Sequence, residues 1–277
     1  MINRRLEYLF KNIIINKPAS WMPTYIYIKY LMLLSGFKLR SYKKFQSKFS
    51  SNFFIYSVLF QHSKYFFTSP IRINRILKGF NHAGARLEKR YFIDQLIGRI
   101  KPKTFIDVGA NIGELSYYMN EKFGEQIRIF AFEPDPIAYE CFENNLNGKN
   151  VFLYKLALSD KSADQIFYLE PQSADSSLHK STFFSVQHKV ETSTLDLVLQ
   201  QADLEKPVLL KMDAEGYEPE VLLGAKNVLN QVDFVSIDCG AERSGRTTVN
   251  EVSSILTRCG FKNVNISVSS ILTASKN

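Results

Sequence analysis

The stretch Thr104 to Gly113 constrains this chain more than any other. Thr104, Phe105, Ile106 and Val108 form a short apolar, partly β-branched run, suited to a strand buried on both faces. The run leads into Asp107-Val108-Gly109-Ala110-Asn111-Ile112-Gly113, after which Leu115, Tyr118, Met119 and Phe123 recur at helical spacing on one face. A strand, a glycine-bearing turn and a helix make the first half of a nucleotide-type site. Glycine lets the backbone approach a ligand closely, and the first helical turn offers unpaired N–H groups. A second strand, Ile127 to Phe132, ends in Glu133-Pro134-Asp135-Pro136, where an acid is placed to accept hydrogen bonds from ribose hydroxyls.

The dinucleotide fingerprint G-x-G-x-x-G would require glycine at 111 and glycine or alanine at 114, where this chain has Asn111 and Glu114. The spacing D-x-G-x-x-x-G resembles instead motif I of class I S-adenosylmethionine (SAM) methyltransferases. Phe105 to Gly113, Ala131-Phe132-Glu133-Pro134, Ala157-Leu158-Ser159-Asp160 and Lys211-Met212-Asp213-Ala214-Glu215-Gly216-Tyr217-Glu218 follow the order seen in the FkbM family, over about Lys101 to Gly260. The resemblance implies an α/β, Rossmann-like fold with a seven-stranded, mostly parallel sheet. It also implies SAM as cofactor, held by Asp107, Gly109, Ala110, Asn111, Gly113, Glu133, Pro134, Ser159 and Asp160. For Asp160 a plain turn role stays open, since Ser-Asp is ordinary turn chemistry. The acceptor class implied is a hydroxyl on a glycan or glycolipid. Methylation of RNA or of a small natural product is the alternative at enzyme level, and a degenerate, anionic-surface-binding domain the alternative outside it.

Lys211, Asp213 and Glu215 alternate at the end of the fourth strand, Pro207 to Met212, which places them on one side of an extended segment. A cation between two carboxylates keeps both acids ionised and able to accept a proton. Asp213 is read as the base that a poorly nucleophilic hydroxyl needs, with Lys211 orienting it and Glu215 gripping the acceptor. A purely structural ion pair at the strand end is the other reading, with Gly216 allowing the turn. Glu218 and Glu220 suit the positive end of the next helix. The fifth strand, Phe234 to Ile237, ends at Asp238-Cys239-Gly240-Ala241-Glu242-Arg243, similar to a D-x-G-x-E-R variant of the family. Asp238, Glu242 and Arg243 are therefore acceptor candidates, with Arg243 and Arg246 suited to clamping an acidic group. By analogy with the family, Ser176, Ser177 and His179 in the polar segment Pro171 to Ser185 would contact substrate too. Asp213 and Asp238 could share a divalent ion, but no third oxygen ligand is identifiable and no metal site is assigned.

Charge divides the chain. Residues 1–100 hold 18 Lys and Arg against three acids, and residues 1–80 hold 18 of the 37 aromatics. Residues 1–84 are read as a basic, mainly helical extension, closed by a linker at Gly79 to Gly84, and residues 85–277 as the SAM-dependent domain. The extension suits packing on the remaining domain or contact with an anionic membrane surface; nucleic acid is disfavoured because no nucleic-acid module is recognisable. Arg4, Arg5, Glu7 and Lys11 break any leader-like apolar core, and the run Met22 to Phe37 is too short to span a bilayer. Three sparse cysteines fit reduced thiols and a cytoplasmic setting, peripheral at the inner membrane surface if the extension binds there. Further expectations are a helix over Arg86 to Ile100, a third strand over Val151 to Leu158, a capping box at Thr248-x-x-Glu251 and a terminal hairpin.

Overall fold

The computed structural model describes residues 42–50, 53–60, 63–68, 73–76, 78–169, 178, 186–243 and 245–276. In chain order, three antiparallel strands come first: β1 (Tyr42–Ser50), β2 (Phe53–Phe60) and β3 (Ser63–Phe67). Helices α1 (Ile73–Ile76), α2 (Phe80–Arg90) and α3 (Ile93–Ile97) lead to β4 (Thr104–Val108). Then follow α4 (Glu114–Phe123), β5 (Arg128–Phe132), α5 (Pro136–Asn145), β6 (Val151–Tyr154), β7 (Ala157–Leu158), β8 (Ala163–Leu169) and β9 (Val186–Ser193). The last part comprises α6 (Leu195–Val198), β10 (Val208–Met212), α7 (Glu218–Leu223), α8 (Lys226–Gln231), β11 (Phe234–Asp238), α9 (Val249–Arg258), β12 (Lys262–Ile266) and β13 (Ile271–Ser275).

The main sheet has the order β12-β13-β11-β10-β4-β5-β6. Strands β6, β5, β4, β10 and β11 are parallel, and the terminal hairpin adds β13 antiparallel to β11. This is the expected seven-stranded, mostly parallel sheet. Every residue of β4, β10 and β11 is buried, as strands covered by helices on both faces require. Strand order reverses on either side of β4, so β5 and β10 leave a crevice at the carboxyl ends, where ligands bind in such sheets. A second sheet, β7-β9-β8, stands beside it.

Several sequence expectations shift. Within the basic extension the described residues of 42–67 form a β-meander rather than helices: their aromatic and β-branched residues favour a pleated surface, and Val58, Tyr65 and Phe67 are buried on one face, Ile55 on the other. Asn145 at the end of α5 fastens β3 by accepting from Phe66 N (2.7 Å) and donating to Phe66 O (2.9 Å). The expected linker lies mostly within α2. Gly84 meets α4 so closely that an added Cβ would lie 2.1 Å from Tyr118 Cβ, a contact only glycine permits. The expected helix 86–100 breaks at Phe92, whose φ is +53°, because Tyr91 is pinned through its hydroxyl to Asp213 and through its carbonyl to Ser236 Oγ. The expected third strand divides into β6 in the main sheet and β7, which pairs with β9. Thr248 makes no side-chain cap on α9; its hydroxyl donates to Glu218 Oε2 at 2.8 Å. Among the described residues no helix is long and apolar enough to cross a membrane.

Candidate active site

The tips of β4 and β10 touch at Gly109. Its φ is +70°, and a Cβ there would lie 2.0 Å from the Asp213 backbone oxygen. Lys211 sits opposite Asp107 in the β10–β4 register. Its Nζ donates to Val108 O (3.1 Å) and Gly109 O (2.8 Å) and lies 3.1 Å from Asp107 Oδ1. Asp107 Oδ2 accepts from Ser116 Oγ at 2.7 Å, while Oδ1 is buried with no hydrogen bond and balanced by the lysine charge alone. Burial works against the charged amine, but Asp107 and Asp213 outweigh it, and the Lys211 pKa stands above its ordinary value. The expected partnership of Lys211 with Asp213 is thus mostly replaced: its hydrogen bonds go to the Val108 and Gly109 carbonyls and brace the glycine turn.

Glu133, at the tip of β5, reaches back across that turn. Its Oε2 accepts from Asn111 N (2.6 Å) and Oε1 from Asp135 N (2.8 Å). Burial, then the Asp135 charge, push its carboxyl up to about 8. Asp135 in turn caps α5 by accepting from Ile137 N and Ala138 N. Ser159 is buried and its hydroxyl donates to Asp160 Oδ1 at 3.1 Å. Both residues follow β7 and lie outside the cavity wall, which takes Leu156, Ala157 and Leu158 from this segment.

On the β10 side, Asp213 Oδ2 accepts from the Tyr91 hydroxyl at 2.6 Å, and Oδ1 takes no hydrogen bond from the described residues. Burial, then Asp213, hold the Tyr91 hydroxyl protonated far above its usual range. One strand over, Asp238 accepts from Arg90 (2.7 Å) and from Gly240 N (3.2 Å). Burial and the Asp213 charge raise its pKa. Glu215 has φ +50° and Gly216 +93°, a turn held by Glu218 Oε1, which accepts from Ala214 N (3.2 Å) and Gly216 N (2.9 Å). Glu218 is therefore a buried bracket rather than a helix-dipole residue, and burial pushes it up to about 7. Arg243 donates Nε to Gly216 O (2.9 Å) and pairs with Glu220, so it props this turn instead of facing an acceptor. Its neighbour Glu242 lines the cavity.

One cavity of about 580 Å³ joins these groups. Asp107, Gly109, Ala110, Asn111, Glu133 and Pro134 line it from the β4 and β5 segments, and Lys211, Asp213, Glu215, Asp238 and Glu242 from the β10 and β11 segments. Gly113 is turned away, backed onto the Phe142 ring. Tyr91, Arg90, Arg86 and Arg75 line it from the amino-terminal elements; sequence periodicity gave them no distinction from other polar helix residues. The residues fit SAM: the volume is in the range of small-molecule sites, Gly109 leaves no side chain between the strand tips, and a buried carboxylate waits at the second tip. Ser176, Ser177 and His179 lie outside the described residues; between them Leu178 lines the cavity. Among the described residues no cluster of three or more His, Cys, Asp or Glu is arranged to hold a metal ion.

The model of the methyltransferase FkbM domain matches residues 107–262. The hexuronic acid methyltransferase AglP of Haloferax volcanii is 32% identical over 137 residues, covering 49% of this chain and 55% of that protein. The 2-O-methyltransferase NoeI of Sinorhizobium fredii is 26% identical over 183 residues, covering 59% of this chain and 74% of that protein. Methyltransferase 1 of Beauveria bassiana is 27% identical over 164 residues, covering 50% and 66% respectively. This chain thus spans only about half of AglP. With the domain match extending over more than half of its residues, and the strand order and tip residues in agreement, the chain belongs to the FkbM methyltransferase family.

Proposed function

We propose that this protein transfers a methyl group from SAM to a hydroxyl on a sugar of a glycan or glycolipid. The observation that carries the reading is the Asp213 carboxylate: it lines the same cavity as Glu133 and the glycine turn, with one oxygen fixed by Tyr91 and the other without a hydrogen bond among the described residues. The name of AglP supports a sugar-type acceptor, and that of NoeI an oxygen as the methylated atom.

The bound cofactor supplies an electrophilic methyl carbon on a sulfonium, open to in-line displacement. Glu133 would hold the ribose hydroxyls, and Asp107 and Lys211 would keep the glycine turn rigid beneath it. Asp213 accepts the acceptor's proton as the new bond forms, a role that positioned carboxylates fill. Tyr91 fixes the Asp213 carboxylate, and the Glu218 bracket fixes the backbone on either side of Glu215, before the acceptor arrives, so that alignment is largely prepaid. Glu215 and Asp238 are placed to grip neighbouring hydroxyls. The same reading sets the protein in the cytoplasm, with residues 1–80 against an anionic surface.

The test is mass spectrometry of host glycans with the active protein and with Asp213→Asn. A methyl increment present with the first and absent with the second supports the proposal. Equal methylation with both refutes the role of Asp213, and none with either refutes the acceptor class.

A further inference from the structure

The amino-terminal side of the cavity carries three arginines: Arg75 on α1, and Arg86 and Arg90 on α2. Arg90 is paired with Asp238. Arg86 donates Nη2 to the Arg75 carbonyl at 2.9 Å, which ties its guanidinium to α1. Neither Arg75 nor Arg86 has a carboxylate within ion-pair distance among the described residues. A guanidinium stays charged at any ordinary pH, so two cations without a carboxylate partner among the described residues border this cavity.

The rest of the rim is largely anionic, with Glu114, Asp213, Glu215 and Glu242 among its residues. That rim suits a sulfonium and repels an anion. An anionic group entering this cavity is therefore steered to the Arg75–Arg86 side. The planar fork of an arginine matches a carboxylate or phosphate by paired hydrogen bonds.

We propose that Arg75 and Arg86 form an anion-recognition site that binds a carboxylate or phosphate carried by the sugar acceptor, and so selects acidic sugars. The proposal rests on the methyl-transfer reading of the same cavity. With the anionic group held at the amino-terminal side, a hydroxyl elsewhere on the sugar faces Asp213. Arg90, occupied by Asp238, keeps that second acid from opposing the bound anion.

The full chain is titrated calorimetrically with methyl glucuronide, glucose 1-phosphate and neutral methyl glucoside, with and without S-adenosylhomocysteine. At least one anionic sugar is expected to bind tenfold or more tightly than the glucoside, and which one it is identifies the anion as carboxylate or phosphate. Arg75→Gln/Arg86→Gln is expected to remove that preference while leaving affinity for S-adenosylhomocysteine unchanged. Equal binding of all three sugars, or a preference that survives the double substitution, overturns the proposal. A tenfold loss of S-adenosylhomocysteine affinity in the double variant also overturns it, by assigning the arginines to the cofactor's carboxylate. Failure of the wild-type chain to bind S-adenosylhomocysteine removes the methyl-transfer reading instead, and the titrations without it report on the arginine site separately. Arg75→Gln alone, at an exposed position, shows the same direction without disturbing the α1–α2 bond.

Discussion

Glu133→Gln should remove a pH dependence of this protein's stability, so that the variant is the less stable protein at low pH and the more stable one at high pH. In the folded chain burial and Asp135 push the Glu133 carboxyl up to about 8, whereas its ordinary value is 4.5. Between those values the folded state keeps a proton that the unfolded chain releases, so this group's contribution is complete below pH 4.5 and is lost as pH rises to about 8. At 1.36 kcal/mol per pH unit the interval amounts to roughly 5 kcal/mol. Glutamine has no such titration. Its one carbonyl oxygen cannot serve both Asn111 N–H and Asp135 N–H, the donors that Glu133 satisfies. Leaving one buried N–H unpaired costs about 1–3 kcal/mol at every pH. The variant should therefore be less stable than wild type at pH 5 by about 0–2 kcal/mol and more stable at pH 9 by about 2–4 kcal/mol. Urea unfolding at fixed ionic strength measures the difference, and the titration of Glu218 cancels because both proteins carry it. A wild-type-minus-variant difference that stays constant from pH 5 to 9 would refute the reasoning.

Other positions separate local strain from contact. Gly98→Ala, at φ +55° with open space around it, should cost about 1 kcal/mol; Gly109→Ala adds an overlap with the Asp213 carbonyl and should cost about 1–3 kcal/mol more. Equal unfolding midpoints for the two variants would show that the strand tips are not in contact. Lys211→Met leaves Asp107 buried and uncompensated and should lose about 3–5 kcal/mol, recovered in large part by adding Asp107→Asn; thermal denaturation of the single and double variants decides, with additive losses as the contrary result. Tyr91→Phe removes a donor to Asp213 and should lower methyl transfer while leaving binding of S-adenosylhomocysteine intact, as read by paired activity and calorimetric assays.

The strand–turn–helix at 104–123 was legible because a buried strand, a glycine turn and an amphipathic helix each leave a local pattern, and all three agree. Glu133 was legible for the same reason, lying at the end of an apolar run. Tyr91 was not. Its periodicity marks it as one more core aromatic, and only the fold, bringing α2 over β10 from 122 positions away, gives its hydroxyl a partner. Lys211 was placed correctly on the rim, yet its hydrogen-bond partners are carbonyls of the adjacent strand, which spacing within one strand cannot reveal. Arg243 and Thr248 show the same limit. Each has an obvious local use, as clamp or cap, and each is taken by a tertiary partner, Gly216 and Glu218 respectively. The β-meander at 42–67 was missed because its many aromatic residues follow one another too closely to leave the apolar–polar alternation that marks a half-buried strand.

Calorimetric titration of S-adenosylhomocysteine into wild type, Glu133→Ala and Asp213→Asn tests most directly whether one cavity joins a cofactor side to an acceptor side. Glu133→Ala should weaken binding by roughly 10- to 100-fold, the loss expected when two ribose hydroxyls lose their hydrogen-bond partner, and Asp213→Asn should bind as wild type does. No binding to the wild-type chain, or the same affinity in Glu133→Ala, would contradict the account.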